Sequence, residues 1–136
     1  MGLGGAVCLL PFKALAAIWN REAFEATTSP EAIKGLQVAT EIPSEDIQII
    51  APDFAENGAV VQVEVKSAIP GTEAIAILVE KNPTPLIANY LISAGTVPHV
   101  VTRIKMAETS PVQVIVKSGE QYYTATKMVE VSLSGC

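Results

Sequence analysis

The chain has 136 residues, is 49% hydrophobic but only 5% aromatic, and carries a formal net charge of -5. That length makes one domain whose core must be packed by Val, Ile, Leu and Ala. The nine Lys and Arg residues form no run, which argues against a nucleic-acid partner, whose recognition needs clustered cations.

In chain order, residues 1–16 read as the remnant of an export signal peptide. The apolar stretch from Leu3 to Phe12 is too short to span a bilayer, which takes ~20 residues. Ala14-Leu15-Ala16 then fits the small-x-small rule of a signal-peptidase site before Ala17. The basic region that should precede the apolar stretch is missing, and Lys13 comes too late to serve. The arginines are therefore expected upstream of this start. Cys8 lies inside the apolar run and follows Val7 rather than a small residue, so it belongs to the leader and not to a lipid anchor. The mature protein is expected to begin near Ala17, to be exported without a membrane anchor, and to keep one cysteine, Cys136. A lone cysteine in an oxidising compartment marks intermolecular pairing or a reactive free thiol.

Residues 17–133 are expected to form the folded domain. Asn20 can cap a short helix over Arg21 to Ala26, with Trp19, Ala23 and Phe24 at helical spacing. Trp19 and Phe24 are expected to cover an open end of the core. Ser29-Pro30-Glu31 then offers a capping hydroxyl, a proline at the first helical position and a carboxylate in the first turn. Gly35 is expected to stop this second helix.

From Ile47 the pattern changes to period two. Ile47-Gln48-Ile49 is short and ends at Pro52. Val61, Val63 and Val65 alternate with Gln62, Glu64 and Lys66. Ala74 to Val79 is continuously apolar, as in a strand covered on both faces. Leu86 to Ile92 is a weaker strand. Val100, Thr102, Ile104 and Met106 alternate with Arg103 and Lys105. Val112, Val114 and Val116 repeat the pattern, and so do Ala125, Val129, Val131 and Leu133. Turn residues separate these strands, among them Glu56-Asn57-Gly58, Ile69-Pro70-Gly71, Asn82-Pro83-Thr84-Pro85 and Ser118-Gly119-Glu120. No helix-length crossover intervenes, so the sheets are expected to be antiparallel. About seven strands at this spacing predict a mainly β fold, an immunoglobulin-like antiparallel β-sandwich with short N-terminal helices.

Catalytic constellations are absent from the sequence. His99 is the sole histidine; it has no nucleophile or acid partner and reads as a loop or strand-entry residue. With two cysteines and no C-x-x-C, a zinc site or disulfide framework is not expected, and no cofactor is implied. The carboxylates are dispersed and no pair stands out for acid–base work.

What remains is Cys136, beyond the end of the last apolar pattern and joined to it by Ser134 and Gly135. Residues 134–136 read as a flexible arm. Gly135 has no Cβ and opens dihedrals closed to other residues. Three extended residues after Leu133 reach roughly 10 Å. A cysteine of ordinary pKa ~8.5 there keeps a minority of nucleophilic thiolate near neutral pH.

The segment Ile75-Ala-Ile-Leu-Val-Glu-Lys-Asn-Pro83, the run Thr102 to Met106 and a final strand leading into glycine and cysteine resemble SoxY. SoxY is the sulfur-carrier subunit of the periplasmic thiosulfate-oxidising Sox system. The likeness extends from about Trp19 to Cys136, and Pro11-Phe12-Lys13-Ala14-Leu15-Ala16-Ala17 resembles the end of that family's twin-arginine export signals. The resemblance implies a periplasmic, non-enzymatic carrier that holds sulfur intermediates covalently on Cys136. It implies as partners a SoxZ-like subunit in a heterodimer, a haem-containing coupling enzyme, a sulfate-releasing hydrolase and, in some systems, a sulfur dehydrogenase. The family arm reads Gly-Gly-Cys-Gly-Gly. Here Ser134 stands for the first glycine, and the two glycines that end the family arm are expected to lie beyond the given sequence. An exposed lone thiol also predicts a Cys136 disulfide dimer in air, beside any other homo-oligomer. Two other readings stay open. One is an exported immunoglobulin-like binding or adhesion module without carrier chemistry. The other is a redox enzyme using Cys136, disfavoured by the lack of a resolving cysteine.

Overall fold

The computed structural model describes residues 21–132. Helix α1 occupies residues 21–25 and α2 spans Ser29–Gly35. Nine strands follow: β1 (Ile42–Pro43), β2 (Ile47–Ile50), β3 (Phe54–Ala55), β4 (Val61–Ser67), β5 (Thr72–Val79), β6 (Leu86–Leu91), β7 (His99–Ile104), β8 (Ser110–Ser118) and β9 (Gln121–Val131). The larger sheet runs β1-β9-β8-β5-β6, with β3 also against β9; the smaller runs β2-β4-β7. The immunoglobulin-like sandwich expected from the sequence is therefore present.

Alternation decides what each strand buries. On β4, Val61, Val63 and Val65 turn inward, with exposures of 0–1%, and meet Ile75, Ile77 and Val79 of β5, Val112, Val114 and Val116 of β8, and Val129 and Val131 of β9. This dry layer holds the sheets together, each buried Val or Ile being worth ~1.5–3 kcal/mol relative to exposure. The continuous apolar run of β5 has the predicted second use. Ala76 and Leu78 point to the outer face and pack with Ala23, Ala32, Val38, Leu86 and Ile115 under the two helices.

The helices differ from expectation in their caps. Thr28, not Ser29, is the N-cap of α2, its hydroxyl accepting from the Glu31 N–H at 3.3 Å. Gly35 does not stop α2 by a left-handed turn. It is the last helical residue, and Leu36 is the C-cap, followed by Gln37 at φ 65°. Gly35 is needed for proximity instead, since a Cβ there would lie 2.8 Å from the Ala23 Cα. Phe24, expected to cover an open end of the core, is 37% exposed. The small Ala23 takes the buried position against Gly35. Asn20 and Trp19 lie outside the described residues.

Seven of the nine strands are those the pattern predicted. The other two, β1 and β3, break the expectation of wholly antiparallel sheets, because both run parallel to β9 (Ile42 opposite Tyr123, Phe54 opposite Glu130). The crossover rule governs strands that follow one another in sequence, and β9 lies far downstream of both. Between them the chain leaves for β2 in the other sheet and returns, closing one side of the sandwich. Pro43 and Pro52 stand at the two crossings, and just past Pro43 the Ser44 N–H still donates to the Thr124 carbonyl at 3.0 Å. Among the described residues no helix is long and apolar enough to cross a membrane.

Candidate functional site

Ser134, Gly135 and Cys136 lie outside the described residues, as do Cys8 and the rest of residues 1–16. What the structure places is the root from which residues 133–136 depart. Strand β9 is held there from both sides. On the β8 side, the register ends with Ser110 opposite Val129. Beyond it the Thr109 hydroxyl accepts from the Val131 N–H at 2.9 Å and donates to the Val131 carbonyl at 3.4 Å. On the β3 side, the Glu130 N–H donates to the Asp53 carbonyl (2.9 Å) and the Ser132 N–H to the Ala55 carbonyl (3.0 Å). Inward, Val129 and Val131 are buried in the inter-sheet core.

The loops around this root are built to approach closely. A Cβ on Gly58 would lie 2.4 Å from the Met106 carbonyl oxygen and 2.8 Å from Cγ1 of Val131, so only glycine fits without moving backbone. The Gly58 carbonyl accepts from the Met106 N–H at 2.7 Å. Asn82, buried to 9% exposure, donates to the Lys105 carbonyl (2.7 Å) and accepts from the Ala107 N–H (2.8 Å). It ties the β5–β6 turn to the segment that precedes Thr109. Sequence reasoning placed Asn82 in a turn and passed over Thr109 and the close contacts of Gly58. Their partners are long-range in sequence, and no local pattern marks them.

At the edge of the root, Lys127 Nζ reaches Asp53 Oδ1 at 2.7 Å. The Lys127 hydrogen bond, and then its charge, hold the Asp53 carboxyl below its ordinary 3.8. A depressed carboxylate pKa stabilises the fold above the unfolded value, and the benefit is lost as pH falls through the folded one. The Tm advantage of wild type over Lys127→Met should thus be present at neutral pH and shrink below 3.8. It should be small, because Asp53 is 94% exposed. A gap that widened in acid would contradict the pairing.

Two other features compete as sites. His99 opens β7 as an exposed residue, which agrees with the strand-entry reading. The expectation that it has no acid partner is overturned: pairing of β4 with β7 brings its Nε2 into a hydrogen bond with Glu64 Oε2 on the outer face of the small sheet. A cleft of about 290 Å³ lies under α2, lined among others by Leu36, Val38, Ala76, Ile115 and Tyr122. Tyr122 and Ser132 are ten residues apart along an extended chain, roughly 33 Å at ~3.3 Å per residue. The cleft therefore lies at the far end of β9 from the root. Among the described residues no three His, Cys, Asp or Glu side chains are grouped to hold a metal ion.

Residues 33–136 match the family model of the sulfur oxidation protein SoxY. The solved sulfur carrier protein SoxY of Chlorobium limicola f thiosulfatophilum is similar over 83% of this chain and 99% of its own, at 36% identity and a TM-score of 0.70. A superoxide reductase (neelaredoxin) of Ignicoccus hospitalis is similar over 77% and 90%, at 16% identity and a TM-score of 0.56, and shares the fold alone. No curated protein sequence matches. The family match begins at Ile33, inside α2, rather than at Trp19, and it runs through the whole sandwich to Cys136. On that span and on the likeness to the Chlorobium protein, the chain belongs to the SoxY family.

Proposed function

We propose that the chain is a carrier of sulfur intermediates in thiosulfate oxidation, holding them covalently on the Cys136 thiol. The observation that carries this reading is the anchored end of β9. The strand is fixed through Ser132, and Cys136 follows four residues later in a segment that the family match includes. Four residues extend at most roughly 14 Å. That length puts a sulfur inside a partner's cleft while the sandwich stays outside. Gly135 adds freedom of approach.

The chemistry needs nothing from the sandwich beyond presentation. Coupling joins the Cys136 sulfur to the outer sulfur of thiosulfate, releasing the thiol proton and two electrons to a haem-containing partner, and leaves a cysteine S-thiosulfonate. Hydrolysis of the bond to the sulfonate group then releases sulfate and leaves a persulfide. A sulfur dehydrogenase, where present, oxidises the remaining sulfur, and a further hydrolysis regenerates the thiol. The sandwich pairs with a SoxZ-like subunit, and the whole cycle runs in the periplasm. The chain acts as the substrate of these enzymes, not as one of them.

Intact-mass measurement before and after reductant, with peptide mapping of the C-terminal peptide, tests the proposal. Reducible sulfur or thiosulfate adducts on Cys136 are expected after incubation with thiosulfate and the coupling enzyme. A thiol that stays unmodified under those conditions would return the protein to the binding-module reading.

A further inference from the structure

Antiparallel partners exchange both backbone bonds at a hydrogen-bonded pair, and β8 runs out of residues before β9 does. Its first residue, Ser110, is opposite Val129, so Val131 has no backbone partner on that side. The Thr109 side chain takes that place, since a hydroxyl both accepts and donates and Thr109 Oγ1 meets the N–H and the carbonyl of Val131. The neighbouring hydroxyl cannot substitute. Ser110 Oγ is engaged with the Lys81 N–H (3.1 Å) and the Pro111 carbonyl (2.9 Å). Without the Thr109 hydroxyl, the β8 side of the ladder would stop at Val129. The backbone of residues 130–132 would then keep β3, itself two residues long, as its strand partner, beside the buried Val131 side chain.

We propose that Thr109 is a positioning residue for the carrier reaction, fixing where the anchored strand ends and hence how far Cys136 reaches. The inference rests on the carrier reading. A strand frayed back to Val129 would give partner enzymes a longer, less ordered segment to bind. Each added residue costs ordering entropy on insertion, a penalty on association rather than on the chemical step.

The test compares Thr109→Val, which keeps the shape and removes the hydroxyl, with Thr109→Ser, which keeps the hydroxyl. Amide exchange is read at Val131 and Ser132, and steady-state loading is read with thiosulfate and the coupling enzyme. In Thr109→Val, exchange at Val131 should quicken about 5–10-fold, the effect of one lost hydrogen bond. The KM for the carrier should rise severalfold with kcat unchanged, and Thr109→Ser should restore both. Unchanged exchange, or faster exchange with an unchanged KM, would overturn the proposal. So would a serine variant that behaves like valine, which would make the methyl group the working part. Failure of wild-type protein to load at all would remove the carrier reading itself, and is seen before any variant is compared.

Discussion

Cys136→Ser is expected to reduce thiosulfate turnover by the reconstituted partner enzymes to background, with the melting temperature of the carrier unchanged. Two physical facts set the size of the effect. The carrier bond is a sulfur–sulfur bond, which a serine oxygen cannot make. A thiol of pKa ~8.5 also keeps a few per cent of thiolate at neutral pH, whereas a serine hydroxyl has no comparable ionised fraction. The unchanged stability is expected because the substitution exchanges a single atom, sulfur for oxygen, at position 136, while among the described residues the buried clusters are built from side chains between Ala23 and Val131. Circular dichroism melts and turnover assays on the same preparations check the two halves. A serine variant with full turnover would sink the carrier reading and leave an exported binding module.

The parts of this fold that could be read from sequence are those governed by local periodicity. Val61, Val63 and Val65 against Gln62, Glu64 and Lys66 specify a half-buried strand in any context. The unbroken run through Ala74 to Val79 correctly implied cover on both faces, given by the opposite sheet and by the helices. Strands β1 and β3 were not legible, because two residues carry no period and their pairing with β9 is decided by how the chain crosses between sheets. The capping of α2 was displaced by one residue, since Thr28 and Ser29 are both good caps and only the backbone geometry chooses. The root of the C-terminal segment was legible in its endpoint and not in its construction. Cys136 is visible as a cysteine beyond the last pattern. Thr109 and Asn82 lie in loops like any others until folding brings Val131, Lys105 and Ala107 against them.

The scaffold and the chemistry should separate cleanly when the core is damaged. Ile77→Ala is expected to cost ~2–5 kcal/mol, the range for truncating a buried Ile or Leu. Ile77 has no exposed surface and sits in the middle of the larger sheet, opposite Val114 on β8 and Ala88 on β6. Its side chain packs into the inter-sheet layer with Val63 and Val112, where the sheets' own hydrogen bonds limit collapse into the void. Against a total stability of roughly 5–15 kcal/mol for a domain of this kind, that is a large fraction. In urea the midpoint should fall while the slope stays near that of wild type, since the surface exposed on unfolding hardly changes. A loss below ~1 kcal/mol would mean that the layer is less tightly packed than its burial implies. At temperatures where Ile77→Ala remains folded, thiosulfate loading per folded molecule should match wild type. The substitution leaves Thr109, Asp53 and Ala55, which bond the end of β9, in place, and under the proposed carrier role it is this anchored end that would present Cys136.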